Sequence, residues 1–193
     1  MRIVLLGAPG SGKGTQAALL VEKFKLPHIS TGELLRSAVA AGTELGRQAK
    51  RVMDRGELVS DDIMLGLIED RLSQEDARAG FILDGYPRNL SQAEALDTLL
   101  ARLDQPIDEA LQIDVDVEMV IQRIAKRAAE EGRSDDSEAV ARNRMKVYAE
   151  QTAPVVDYYA QKGLLSRVLG VGSIEDVFQR IQGVLQIRTD SVN

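Results

Sequence analysis

The chain contains no cysteine and only one histidine, His28, among 193 residues. Without thiols, neither a disulfide nor a Cys-ligated metal centre can form. A lone histidine has no evident acid–base partner in the sequence, so a structural role is expected for it. No run is long and apolar enough to span a bilayer. The N-terminal apolar stretch is too short and too soon interrupted for a signal peptide, so a cytoplasmic setting is expected. Positive charge is in deficit: 24 Lys and Arg against 30 Asp and Glu leave a net charge of −6. That balance argues against a nucleic-acid binder held by bulk phosphate attraction. Internal repeats and low-complexity stretches are also missing. What remains, 44% hydrophobic and 28% charged, is ordinary for a soluble α/β protein, and the length fits one domain with small inserted subdomains.

Against these absences one segment stands out. Gly7-Ala8-Pro9-Gly10-Ser11-Gly12-Lys13-Gly14-Thr15 follows the apolar run Ile3-Val4-Leu5-Leu6 directly. The glycines leave backbone amides free to fold around a phosphate, and a following helix points its N-terminus the same way. Lys13 adds a mobile point charge for the outer phosphates of a nucleoside triphosphate. The setting agrees: a buried strand, a glycine loop, then Ala17, Leu20, Val21 and Phe24 at helical spacing.

Farther along, short apolar runs alternate with longer helix-period segments, the pattern of βαβ units in a parallel sheet. The pattern predicts strands near 2–6, 27–30, 81–84, 110–114 and 165–169. Helices are predicted over 13–24, 31–41, 44–55, 61–73, 89–103, 117–128, 137–152, 155–162 and 174–187. Ser30-Thr31-Gly32-Glu33 and Ser173-Ile174-Glu175-Asp176 fit the Ser-x-x-acid capping box. The polar, aperiodic end at 188–193 is expected to be disordered. Residues 128–136 read as a polar loop between two long helices.

A second motif is Phe81-Ile82-Leu83-Asp84-Gly85-Tyr86-Pro87-Arg88. An apolar strand ends in an acid where the carboxyl edge of the sheet should lie, and there α/β folds bind their ligands. Asp84 suits Mg²⁺, directly or through its waters. Gly85 permits close backbone approach, Arg88 offers a bidentate clamp for phosphate, and Tyr86-Pro87 is a candidate cis peptide. Seven of the 24 basic residues fall between Arg123 and Lys146. In an acidic chain, that local concentration suggests a compact anionic ligand.

Together, Gly7–Gln16, Ser30-Thr31-Gly32-Glu33-Leu34-Leu35-Arg36, Asp84-Gly85-Tyr86-Pro87-Arg88, and Gly132-Arg133-Ser134-Asp135-Asp136 followed by Arg144 resemble the adenylate kinase family. The resemblance runs in order from residue 1 to about 187. Gly14 stands where the general phosphate-loop pattern carries Ser or Thr; adenylate kinases carry Gly-Thr there, so the departure sharpens the match.

The resemblance implies a P-loop NTPase fold, a five-stranded parallel sheet flanked by helices, in one domain over 1–187. It implies two mobile subdomains, one for AMP at 30–59 and a short lid at 126–136. The implied reaction is Mg·ATP + AMP ⇌ 2 ADP, run by a cytoplasmic monomer. Gly10, Ser11, Gly12, Lys13, Gly14, Thr15, Arg123, Arg127 and Gly172 match the family's ATP contacts. Thr31, Gly32, Arg36, Met53, Glu57, Leu58, Val59, Gly85, Tyr86, Pro87, Arg88, Gln92, Arg133 and Arg144 match its AMP contacts. Lys13, Arg88, Arg123, Arg133 and Arg144 would carry catalysis. Mg²⁺ would arrive with the nucleotide and have no direct protein ligand, Asp84 orienting its waters; no zinc is expected. Neither nucleic acid nor membrane is an expected partner.

Two alternatives stay open at this point. Pyrimidine monophosphate kinases share the scaffold, but typically carry Ala where this chain has Thr31 and Asn where it has Gln92. A Gln amide has both donor and acceptor for the N1/N6 edge of adenine. A P-loop switch protein would need an Asn-Lys-x-Asp base-reading motif, which the chain lacks.

Overall fold

A computed structural model describes the backbone of residues 1–131 and 137–192 and the side chains of 1–128 and 137–186. Five strands, β1 (Arg2–Leu6), β2 (His28–Ser30), β3 (Phe81–Asp84), β4 (Glu109–Asp114) and β5 (Leu165–Leu169), form one parallel sheet in the order β2-β3-β1-β4-β5. Because successive strand residues face opposite ways, β1, β3 and β4 each feed two cores. Val4 and Leu6 join Ile29, Phe81, Leu83 and Ala110 on one face. Ile3 and Leu5 join Ile82, Leu111, Ile113 and Val168 on the other. Such continuous apolar strands are what a parallel sheet covered on both faces requires.

Helices supply the covers. α1 (Lys13–Phe24) and α9 (Ile174–Val192) close one face through Ala17, Leu20, Val177, Phe178 and Ile181. α2 (Thr31–Ala40), α3 (Glu44–Met53), α4 (Asp61–Leu72), α5 (Leu90–Arg102) and α8 (Ala153–Gln161) close the other, with Leu35, Ile68, Leu72, Leu96 and Tyr159. α6 (Val117–Glu131) and α7 (Glu138–Val147) pack a smaller cluster, Val120, Ile124 and Ala141, against Ala8 of the glycine loop. The strand order reverses direction at β1, with β3 on one side and β4 on the other. Ligands of α/β sheets bind at such a switch point, and both chemical motifs leave from it. Leu5 in β1 pairs in register with Asp84 in β3.

The sheet and nearly every helix lie where the sequence predicts them. The departures have local causes. α6 continues to Glu131, past the predicted end at 128, because Ala128-Ala129-Glu130-Glu131 are strong helix formers and the first breaker is Gly132. Residues 128–131 of the expected polar loop are therefore helical, and 132–136 lie outside the described residues. α9 runs to Val192 where a disordered end at 188–193 was expected; with no Gly or Pro in 188–192, propagation needs no new nucleus. The two helices predicted around Pro154 are one continuous helical run. A π turn, Tyr148–Thr152, joins α7 to α8, and Pro154 falls in the first turn of α8, where a missing N–H is tolerated.

Candidate active site

The loop after β1 wraps toward α1 through Gly12, whose φ of 99° places it in the left-handed region that favours glycine. The amides of the first turn of α1 have no intrahelical acceptor, so the helix begins with a fan of donors at its positive end. Lys13 Nζ donates to Gly7 O at 2.8 Å and to Ala8 O at 3.0 Å, folding over the same loop. Burial pushes its ammonium down to about 8. Asp84 opposes that shift, while Arg88, Arg144 and Arg127 reinforce it. A cation so destabilised is prepared for an anion.

Asp84 shows the complementary balance. Burial would raise its carboxyl, but the adjacent His28 and the charges of Lys13 and Arg88 hold it below the usual carboxylate range. His28 Nε2 lies 3.5 Å from Asp84 Oδ2. The histidine thus has the acidic partner that the sequence did not reveal, supplied by strand pairing (Ser30 opposite Asp84) rather than by any local pattern.

After β3 the chain turns at Gly85, φ 81°, where an added Cβ would lie 2.6 Å from Thr31 Oγ1. Thr31 Oγ1 donates to Gly85 O at 2.8 Å, tying α2 to this turn. The Tyr86-Pro87 bond is cis. Arg88 is then fixed at three points. Its Nε donates to Gly85 O, its backbone N–H to Gln92 Oε1, and its carbonyl accepts from Thr152 Oγ1, each at 2.7 Å.

These groups surround a cavity of about 800 Å³ lined by Gly10–Gln16, Asp84, Arg88, Arg123, Arg127, Arg144 and Gly172. A second cavity of about 60 Å³ is lined by Thr31, Met53, Glu57, Leu58, Val59 and Gln92. Gly32, Arg36, Gly85, Arg88 and Arg144 border both. Arginines therefore stand where a phosphate-loop chamber meets a smaller pocket. Arg123 braces the larger chamber, donating to Ser11 O at 3.2 Å and Gly170 O at 3.0 Å.

The adenylate kinase family model matches residues 5–164 of the chain. The chain belongs to the adenylate kinase family. Among curated members, the adenylate kinase of Stenotrophomonas maltophilia (strain K279a) is 58% identical over 186 residues, covering 96% of this chain and 100% of that protein. That of Xanthomonas campestris pv. campestris (strain 8004) is 59% identical over 181 residues, 94% and 97% of the two chains. The Xanthomonas oryzae pv. oryzae (strain MAFF 311018) protein is 57% identical over 185 residues, 96% and 99%.

Within this adenylate kinase fold, most residues singled out from sequence border one of the two cavities. Tyr86 does not. Its side chain is 1% exposed within the core, and burial, with Asp61 nearby, pushes its hydroxyl up to about 12. A ring that size stabilises the fold by removing apolar area from water, and it leaves the wall to its neighbours Gly85 and Pro87. Arg133 falls outside the described residues. No group of three or more His, Asp or Glu able to hold a metal occurs among the described residues.

Three neighbours of the site were not foreseen. Thr152 anchors Arg88, Gln16 Nε2 donates to Ile174 O at 3.0 Å beside the Gly172 loop, and Asp61 Oδ1 accepts from Gln92 Nε2 at 2.8 Å. Gln16 ends the phosphate-loop motif, but Thr152 and Asp61 carry no local motif: a threonine before Ala-Pro and an acid at a helix start have ordinary surface explanations.

Proposed function

We infer that this chain transfers the terminal phosphoryl group of Mg-ATP reversibly to AMP, giving two ADP. The observation that carries this reading is the common wall of the two cavities, where Arg36, Arg88 and Arg144 stand between the phosphate loop and the pocket of Gln92. Phosphoryl transfer asks little covalent chemistry of the protein. It needs donor and acceptor in line and charge on the moving group cancelled.

ATP phosphates lie on the amides of Gly10, Ser11, Gly12, Lys13, Gly14 and Thr15 with Lys13 over them; Arg123 and Arg127 flank them, and Gly172 lies beside the adenine. AMP directs its base into the second cavity toward Gln92 and its phosphate toward Arg36 and Arg88 on the common wall, with backbone contacts at Gly32, Met53, Glu57, Leu58, Val59, Gly85 and Pro87. An AMP phosphate oxygen attacks the γ-phosphorus, the bond to the ADP bridging oxygen breaks, and no general base is required because the acceptor is already an anion. Arg88, Arg144, Arg123 and Arg133 cancel the charge developing between them. Mg²⁺ arriving with ATP would supply further charge neutralisation, and the carboxylate of Asp84, held below its usual range, would hold the waters of the ion.

Residues 30–59 and 126–136 act as the mobile AMP subdomain and short lid, closing to keep water from the γ-phosphate. The enzyme works as a cytoplasmic monomer. A coupled assay of ADP formation with AMP, UMP and CMP as acceptors, with and without Mg²⁺, tests the reading. AMP should be the preferred acceptor and activity should require the metal. Faster turnover with UMP or CMP would overturn the assignment in favour of a pyrimidine monophosphate kinase.

A further inference from the structure

Gln92 is 2% exposed and lines the second cavity, yet half its hydrogen-bonding capacity is committed within the protein. Its Oε1 accepts from the Arg88 N–H at 2.7 Å, and its Nε2 donates to Asp61 Oδ1 at 2.8 Å. The same Asp61 oxygen accepts from Asn89 Nδ2 at 3.0 Å, while Asn89 Oδ1 caps α5 by accepting the Gln92 N–H at 2.8 Å. A primary amide has two N–H donors and two carbonyl lone pairs, so one of each remains for a ligand.

We propose that Asp61 is a specificity-determining positioning residue: it locks the Gln92 amide in the one orientation that pairs with a 6-aminopurine and rejects a 6-oxopurine. The proposal rests on the reading that Gln92 faces the base of the acceptor nucleotide. A backbone N–H only donates and a carboxylate only accepts. The amide oxygen must therefore face Arg88, and the nitrogen must face Asp61. A half-turn of the amide would set donor against donor at Arg88 and acceptor against acceptor at Asp61. The remaining donor and lone pair cannot exchange places.

Adenine presents an acceptor at N1 and a donor at N6; hypoxanthine and guanine present a donor at N1 and an acceptor at O6. A freely turning glutamine could pair with either edge by flipping. The locked amide pairs only with adenine, and a 6-oxopurine meets it with like groups opposed in a desolvated pocket, where unmet polar groups are costly. Asp61 lines neither cavity, so its influence passes through Gln92.

The test measures kcat and KM for AMP, IMP and GMP at saturating ATP in the wild type, Asp61→Asn and Gln92→Ala, with thermal midpoints. Asparagine keeps the shape but offers both an oxygen and an N–H, which releases the lock. The wild type should favour AMP over IMP by roughly 100-fold or more in kcat/KM. Asp61→Asn should lower that ratio about tenfold, one hydrogen bond's worth, through a higher KM for AMP and a lower KM for IMP at unchanged KM for ATP. A role confined to packing would weaken all acceptors alike and leave the ratio intact. An unchanged ratio in Asp61→Asn, with collapse in Gln92→Ala, overturns the lock but keeps Gln92 as the base reader. An unchanged ratio in Gln92→Ala removes that reading and the lock with it. Should Asp61→Asn fail to fold, Asp61→Ser, whose hydroxyl both donates and accepts, takes its place: a ratio lowered about tenfold supports the lock, and an unchanged ratio overturns it.

Discussion

Arg88 and Lys13 illustrate opposite ways of preparing a cation. Arg88 is held by geometry, with hydrogen bonds to Gly85 and Gln92 and from Thr152. Removing it should cost transition-state stabilisation rather than folding. Arg88→Ala is expected to lower kcat roughly 10³- to 10⁵-fold, the range for an arginine acting on a transferring phosphoryl group. Far-UV circular dichroism should stay unchanged, and near-normal turnover in a coupled assay would place the transfer elsewhere. Lys13 is held by electrostatics. Its proton, kept to 10.5 in the unfolded chain, is kept only to about 8 in the folded one. Between those values the unfolded state binds more protons, so stability rises with pH across that window and the full cost of the buried charge stands below it. The stability of the wild type relative to Lys13→Met, from denaturant unfolding without nucleotide, should increase from pH 8 toward 10.5; a flat difference would mean the ammonium is not desolvated. Saturating ATP, which supplies the missing negative charge, should flatten it. Both residues were legible in the sequence because each sits in a contiguous motif. His28 was not, because its partner Asp84 comes from another strand.

At the level of elements, α5 and the run from α7 through α8 carry more of the site than their sequences suggest. α5 begins at an Asn89 cap and places Gln92 on the wall of the second cavity. The π turn at Tyr148–Thr152 places Val147, Tyr148 and Thr152 along the larger cavity and brings the Thr152 hydroxyl to Arg88. π turns recur at functional sites because the extra residue re-aims side chains that an α-helix would point away. Thr152→Val should lose about 1 kcal/mol of stability, one partly buried hydrogen bond, and lower kcat by relaxing Arg88. Thr152→Ser should restore both. Chemical denaturation and steady-state kinetics check this, and an unaltered kcat in the valine variant would show that Arg88 needs no support from this helix. The helical period announced every one of these helices and the capping boxes marked two starts. At Ser173 the box is complete, with Asp176 N–H donating to Ser173 Oγ and Ser173 N–H to Asp176 Oδ2. The π turn left no such trace, since it depends on how the whole run seats against Arg88.

For the whole molecule, the charge distribution and the contact between the 30–59 segment and α7 matter most. A chain of net charge −6 gathers Lys13, Arg36, Arg88, Arg123, Arg127 and Arg144 around one cavity. A polyanion is thus attracted to that cavity, while bulk association with nucleic acid is not favoured. The 30–59 segment touches α7, with Asn143 Nδ2 donating to Arg55 O at 2.6 Å and Val140 O only 2.9 Å from where a Cβ on Gly56 would stand. A bisubstrate mimic, two adenosines joined through five phosphates, should shorten the distance between fluorophores placed on 30–59 and on 126–136 by single-molecule energy transfer; an unchanged distance would count against closure. The sequence by itself determined the parallel α/β fold, the phosphate loop and the Asp84–Arg88 motif, while its resemblance to adenylate kinases singled out Thr31, Arg36 and Gln92. Hydrophobic period and contiguous motifs are local, and a local signal survives in one dimension. Only the tertiary structure decided that Arg36, Arg88 and Arg144 form a wall common to two cavities, that His28 meets Asp84, that Thr152 holds Arg88, and that Asp61 orients Gln92. Those contacts join residues far apart in the chain, and strand order and helix packing, not spacing, bring them within hydrogen-bonding distance.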